Sequence, residues 1–157
     1  MITIFTTLKP FKDPRIRIIQ RNAIQSWKAL RPQCEIILFG NDQGVADVAK
    51  KFGVRHIPQV KLVQNRLPLI SSLFTEAQKM ASFPYLCYAN GDIIFMDDLL
   101  ITLTTLCNEY KEFLAVGRRW DMDITKPISF KEGWQEKLRS QAAKNAILHG
   151  YSGIDYF

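Results

Sequence analysis

The chain has 157 residues, of which 47% are hydrophobic, 11% aromatic and 23% charged; this fits one globular domain and excludes collagen, coiled-coil and mostly disordered chains. Lysine and arginine number 21 against 15 acids, and the net charge of +6 points to anionic partners (phosphates, nucleic acid or acidic lipid) without choosing among them. The best apolar run, Leu99–Leu106, carries three threonines and falls short of the roughly 18 residues of a membrane span, and Met1-Ile2-Thr3-Ile4-Phe5 has no basic leader, so no membrane span and a cytoplasmic location are expected.

Ile2-Thr3-Ile4-Phe5 is short and β-branched and predicts a strand, followed by a loop over Thr6–Phe11 that Pro10 interrupts. From Arg15 onward Ile16, Ile18, Ile19, Ala23, Ile24, Trp27 and Leu30 recur mostly at three-to-four spacing. That is an amphipathic helix, stopped before Pro32. Glu35–Phe39 predicts a second strand, ended by Gly40-Asn41-Asp42. Val45–Phe52 predicts a short helix with Gly53 as its C-cap, and Val54–Ile57 a weak third strand before Pro58. After the loop Gln64–Pro68, Leu69, Leu73, Ala77 and Met80 fit one helix face. Tyr85–Ala89 is an apolar run halted by Asn90-Gly91-Asp92 and resumed by Ile93-Ile94-Phe95. Asp98 is the expected N-cap of a helix over Leu99–Tyr110. Phe113–Val116 predicts a further strand before Gly117-Arg118-Arg119-Trp120. Phe130–His149 is expected to be helical in part, and Tyr151-Ser152-Gly153 a turn.

Strand and helix alternate at least four times, which predicts an α/β fold: a mainly parallel sheet covered on both faces by helices, with right-handed crossovers. The absence of repeats and linkers predicts one domain over residues 1–157. Cys34, Cys87 and Cys107 lie apart beside apolar residues, without a CxxC pair. Buried free thiols are expected rather than a disulfide framework or a zinc site.

In open α/β sheets ligands bind outside the carboxyl ends of the strands. The polar residues following strands are therefore the first candidates: Thr6 and Thr7, Asn41 and Asp42, Asn90 and Asp92, Arg118 and Arg119. No GxGxxG follows the first strand, and neither a Walker A sequence nor a GxSxG elbow occurs. Dehydrogenase, P-loop NTPase and α/β-hydrolase readings lose their main support. Asn90-Gly91-Asp92 at the end of an apolar run is the most informative triplet. Its two oxygen-bearing side chains can turn to one divalent cation if Gly91 lets the backbone kink, and Mg²⁺ or Mn²⁺ favours carboxylate, amide and phosphate oxygens. The same triplet also reads as a β-turn between two hairpin strands.

At these residues the chain resembles the GT-A nucleotide-diphospho-sugar transferases, whose hallmark is an Asp-x-Asp motif after an apolar strand. Here Asn90 stands for the first acid. The likeness extends to Phe5–Phe11, Gln20–Trp27, Ile37–Asp42, Gly117–Thr125 and Ser152–Phe157, segments similar to a glycosyltransferase-like branch of plants and bacteria. The resemblance implies a Rossmann-like GT-A three-layer α/β/α sandwich that takes a UDP- or GDP-sugar donor and transfers its sugar to an acceptor. Asp92, and more weakly Asn90, would hold Mn²⁺ or Mg²⁺ on the diphosphate. Thr6 and Thr7 would contact the nucleoside, and Asp42 the base or ribose. Asn65 is a donor-side candidate, although its loop lacks small residues. Lys9 or Arg118 would help to offset the leaving-group charge, and Asp155 would serve as general base or bind acceptor hydroxyls. Relatives of this kind continue beyond a point like Asp155-Tyr156-Phe157, so acceptor-side elements are expected to be missing from the chain.

Other residues compete for these roles. Asp121-Met122-Asp123 is the literal Asp-x-Asp of the chain, but it follows polar residues and reads mainly as solvated loop. Arg118, Arg119 and Trp120 can bind phosphate, stack on a sugar or form a basic surface loop. His56 reads as structural, and His149 lies close to Asp155 in sequence. Two further functions stay open: a non-catalytic nucleotide-binding module with a degenerate metal motif, and a nucleic-acid-binding domain built on Lys9, Lys12, Arg15, Arg17 and Arg21.

Overall fold

The computed structural model describes residues 1–64 and 67–157. The first strand, β1 (Ile2–Thr7), leads through a tight loop into α1 (Pro14–Ala29). Asp13 starts that helix: its carboxylate accepts the backbone N–H groups of Arg15 at 2.6 Å and Ile16 at 3.1 Å, and Pro14 fills the first helical position, where no N–H is needed. Next come β2 (Glu35–Phe39), α2 (Val45–Phe52) and β3 (Arg55–Ile57). Gly53 closes α2 in the left-handed conformation, at φ +62°, with its N–H returned to the last turn. A short hairpin, β4 (Leu62–Val63) and β5 (Leu67–Pro68), precedes α3 (Ile70–Met80), β6 (Tyr85–Tyr88) and α4 (Asp98–Glu109). The chain ends with β7 (Trp120–Asp121), α5 (Trp134–Asn145) and β8 (Ile147–Leu148).

The central sheet has four parallel strands in the order β3-β2-β1-β6. Apolar side chains alternate across it and build a core on each face. Ile2, Ile4, Ile36 and Leu38 pack with Ala23, Ile24 and Trp27 of α1, Val45, Val48 and Ala49 of α2 and Leu100 of α4. On the other face Phe5, Ile37 and Phe39 pack with Leu73 and Ala77 of α3. The expected α/β architecture, with helices flanking a parallel sheet, is present. Among the described residues no helix is long and apolar enough to cross a membrane.

Three local expectations change. Thr6 and Thr7 do not open a loop; they complete β1, paired with Leu38 and Phe39. Phe113–Val116 forms no strand, because no neighbouring strand offers it a ladder; Leu114 is 79% exposed, while the Phe113 ring stacks on Tyr85. Asp98 is not the N-cap of α4 but sits in its first turn, where it still favours the helix dipole. Asp97 holds the cap position, and its carboxylate accepts from Gln135 at 2.8 Å instead of from α4.

The strand order sets the position of the site. The chain moves outward from β1 through β2 to β3, then returns to pair β6 on the opposite side of β1. The carboxyl ends of β1 and β6 thus flank the point where the topology reverses, the place where open α/β sheets form a crevice.

Candidate functional site

Helix α1 holds the loops at this sheet edge. Gln20 is buried and clamps Lys9 on both sides: its Oε1 accepts the Lys9 N–H at 2.7 Å and its Nε2 donates to the Lys9 carbonyl at 2.9 Å. Trp27 Nε1 donates to the carbonyl of Ile93 at 2.8 Å, and Ser26 Oγ accepts the N–H of Phe95 at 3.0 Å. The backbone beyond β6 is therefore fixed from beneath by fully buried side chains.

Asn90-Gly91-Asp92-Ile93 is a β-turn, closed by the Ile93 N–H on the Asn90 carbonyl at 3.1 Å. It does not join two hairpin strands, since β6 pairs in parallel with β1 and Ile93–Phe95 is not a strand. Gly91 is needed for space, not for a left-handed kink. A Cβ there would stand 2.6 Å from Leu8 Cδ2 and 3.3 Å from Gln20 Oε1, and its φ is not positive. The turn thus lies directly on the β1–α1 loop.

Asp92 is exposed at this turn. Tyr88 lies close by, at the end of β6, and its phenol is pushed up by burial and by the charge of Asp92, partly offset by a hydrogen bond with Thr7. Thr7 and Asp92 thus both bear on the Tyr88 phenol, at the carboxyl ends of β1 and β6. Asp42 is exposed after β2, on the same sheet edge, where its carbonyl accepts the Val45 N–H at 3.0 Å. Lys9 is exposed nearby. Thr6 differs: it is fully buried and its hydroxyl donates to the Thr7 carbonyl at 3.0 Å, so it offers no surface to a nucleoside. Asn65 lies outside the described residues. His56 is structural as expected, with Nε2 2.8 Å from the carbonyl of Gly40.

The C-terminal residues close the site on the β6 side. Asn90 donates through Nδ2 to Asp155 Oδ1 at 2.9 Å, and its backbone N–H donates to the Asp155 carbonyl at 2.8 Å. Asp155 Oδ2 makes an ion pair with Arg119. Both oxygens of Asp155 are thereby engaged, which suits a positioning residue more than a general base. Arg119 Nε also donates to Asp121 Oδ1 at 2.6 Å, and Asp121 Oδ2 lies 2.6 Å from His149 Nδ1. His149 and Arg119 together hold the Asp121 carboxyl below its usual range. Arg118 is spent elsewhere: Nε and Nη2 both donate to the His149 carbonyl, at 3.0 and 2.7 Å, and its guanidinium lies 4.0 Å from the centre of the Tyr151 ring.

This network accounts for the literal Asp-x-Asp. Asp121 is paired with Arg119 and hydrogen-bonded to His149, and Asp123 pairs with Arg15 at 2.8 Å. The pairing of Asp121 with His149, across β7 and β8, has no signal in the sequence. Tyr88 also escapes notice, because a tyrosine in an apolar strand reads as core.

Among the described residues no group of three or more His, Cys, Asp or Glu is placed to hold an ion. Asp92 brings one carboxylate, and Asn90 keeps its amide oxygen, since its Nδ2 is the group given to Asp155. Such a set fits Mg²⁺ or Mn²⁺ shared with phosphate oxygens, not an ion held by protein alone.

No family model matches the chain, and no curated protein matches it significantly.

Proposed function

We propose that the protein binds a nucleotide-diphospho-sugar across the β1–β6 crevice and acts as a glycosyltransferase of the GT-A kind. The observation that carries the reading is the placement of Asp92: an exposed carboxylate at the carboxyl end of β6, the strand paired in parallel with β1, where the strand order reverses. Asp92 and the amide oxygen of Asn90 would hold a divalent ion on the diphosphate. When bound, that ion would neutralise charge developing on the leaving nucleoside diphosphate.

The chain's own residues then divide the work. Thr7 and Asp42 meet the nucleoside, and Lys9 adds positive charge at the same edge. Asp155 positions Asn90 and, through Arg119, ties the turn to the paired strands β7 and β8.

A panel of UDP- and GDP-sugars with and without Mn²⁺ tests the reading by thermal shift. A Mn²⁺-dependent rise in Tm with one of them, absent in Asp92→Ala, is expected. No shift with any sugar nucleotide overturns it. One observation favours a second reading, a nucleotide-binding module without transfer: Asn90 replaces the first acid and spends part of its amide on Asp155. That reading is distinguished by nucleotide binding that ignores Mn²⁺ and by the absence of sugar release.

A further inference from the structure

We infer that the groove between α1 and α2 is a second ligand site, one that takes a small phosphomonoester with a compact apolar body. The groove is half open to solvent and offers about 440 Å³, within the size range of small-molecule pockets. Arg17 and Arg21 of α1 and Lys51 of α2 supply three cations. Ile18, Phe52 and Pro127 supply apolar wall, and no acidic residue lines it among the described residues. Arg17, Ile18 and Arg21 follow one another at helical spacing, so one face of α1 presents the charge and the apolar surface together.

The rim is built, not incidental. Asn22 is 1% exposed and clamps the passing chain on both sides of Pro127: its Nδ2 donates to the Lys126 carbonyl at 3.0 Å, and its Oδ1 accepts the Ile128 N–H at 3.0 Å. Those polar groups satisfy one another. Arg21 is different. Its Nε is buried and has no hydrogen-bond partner among the described residues. Among the described residues no carboxylate pairs with the Arg21 guanidinium, and the partners its accessible face suits best are planar or tetrahedral oxyanions. Three cations on one groove call for a dianion. The apolar wall beside them calls for an organic body. The groove shares no lining residue with Thr7, Lys9, Asp42, Asn90 or Asp92, and its occupancy does not depend on the sugar-nucleotide reading.

The test is calorimetric titration of the full chain with phenyl phosphate, inorganic phosphate and a single-stranded oligonucleotide at constant ionic strength. Saturable binding of phenyl phosphate, tighter than inorganic phosphate and weakened at least about tenfold by Arg21→Gln, is expected. Lys51→Gln at the α2 wall weakens it independently, should Arg21→Gln fail to fold by circular dichroism. Asp92→Ala leaves it unchanged, which separates this site from the crevice. No saturable binding, binding by both cation variants as tight as by the unaltered chain, or a preference for the oligonucleotide with a steep salt dependence overturns the inference.

Discussion

Asn90 and Asp155 stand 65 positions apart and are joined twice, once through their backbones at 2.8 Å and once through their side chains at 2.9 Å. Tyr88 and Phe157 exchange backbone hydrogen bonds just beyond them, at 2.9 and 3.1 Å, so residues 155–157 run alongside the end of β6. The turn that bears Asp92 is thus held from below by α1 and from the side by the chain's last residues. Removing the Asp155 carboxylate leaves Arg119, whose side chain is 27% exposed, without that ion pair. Asp155→Ala is expected to cost about 1–3 kcal/mol, discounted for this partial exposure. In a urea double-mutant cycle with Asn90→Ala the two losses should fall short of additive, with about 0.5–3 kcal/mol of coupling. Simple additivity would mean that the two side chains act separately.

Gly91 tests whether the geometry of the turn matters to the ligand. A methyl group there drives into Leu8, which is only 4% exposed and has little room to yield. Gly91→Ala should lower stability by about 1–3 kcal/mol through overpacking, and should reduce any Mn²⁺-dependent sugar-nucleotide shift by displacing Asp92. Gly91→Ala combined with Leu8→Val should recover part of both. An unchanged melting curve for Gly91→Ala would show that the β1–α1 loop moves aside freely.

The legible parts of this fold are those written locally. Glu35–Phe39 and Val45–Phe52 appear with the bounds their apolar patterns predict, because a β-rich run between Pro32 and Gly40 and a helix closed by Gly53 carry their own signals. The alternation of strand and helix was sufficient to predict a parallel sheet. Phe113–Val116 shows the limit: its residues favour a strand, but a strand also needs a neighbour, and no local signal reports one. The site follows the same rule. Asp92 and Asn90 were visible because they end an apolar run. The links from Asp155 to Arg119 and from Asp121 to His149 join residues 28 to 36 positions apart, and only tertiary packing brings them together. Arg118 shows the same limit, since its contacts with the His149 carbonyl and the Tyr151 ring are set by tertiary packing alone.

The cysteines should report burial directly. Burial pushes the Cys87 thiol up to about 12, with Cys34 nearby adding to the effect. Burial pushes Cys34 itself up to about 11, eased slightly by the N-terminal amine. Thiolate is the reactive form, so both should resist a thiol reagent in the native protein, while the partly exposed Cys107 reacts first. Mass spectrometry of partially labelled protein checks the order. Rapid labelling of Cys87 without denaturant would mean that the sheet opens locally.

At the opposite end of the sheet, Glu35 pins three elements at once. Its carboxylate accepts from Thr3 Oγ1 at 2.7 Å, from the Ser82 N–H at 2.7 Å and from Ser82 Oγ at 3.0 Å, with Arg55 at 3.5 Å. Burial alone would raise its pKa, but these donors and the arginine outweigh it and hold the carboxyl below its ordinary value of 4.5. A carboxyl whose folded pKa is depressed stabilises the fold above its unfolded pKa and loses that contribution as pH falls through the folded value. Glu35→Gln should therefore cost about 1–3 kcal/mol near pH 7, because the charge-assisted bonds become neutral ones and one donor faces an amide N–H. The gap between the two proteins should narrow steadily in acid, as the wild-type carboxyl takes up its own proton. Urea midpoints measured from neutral pH down to about pH 3 follow this convergence, and parallel curves over that range would show that the charge of Glu35 contributes nothing to holding β1, β3 and the start of β6 together.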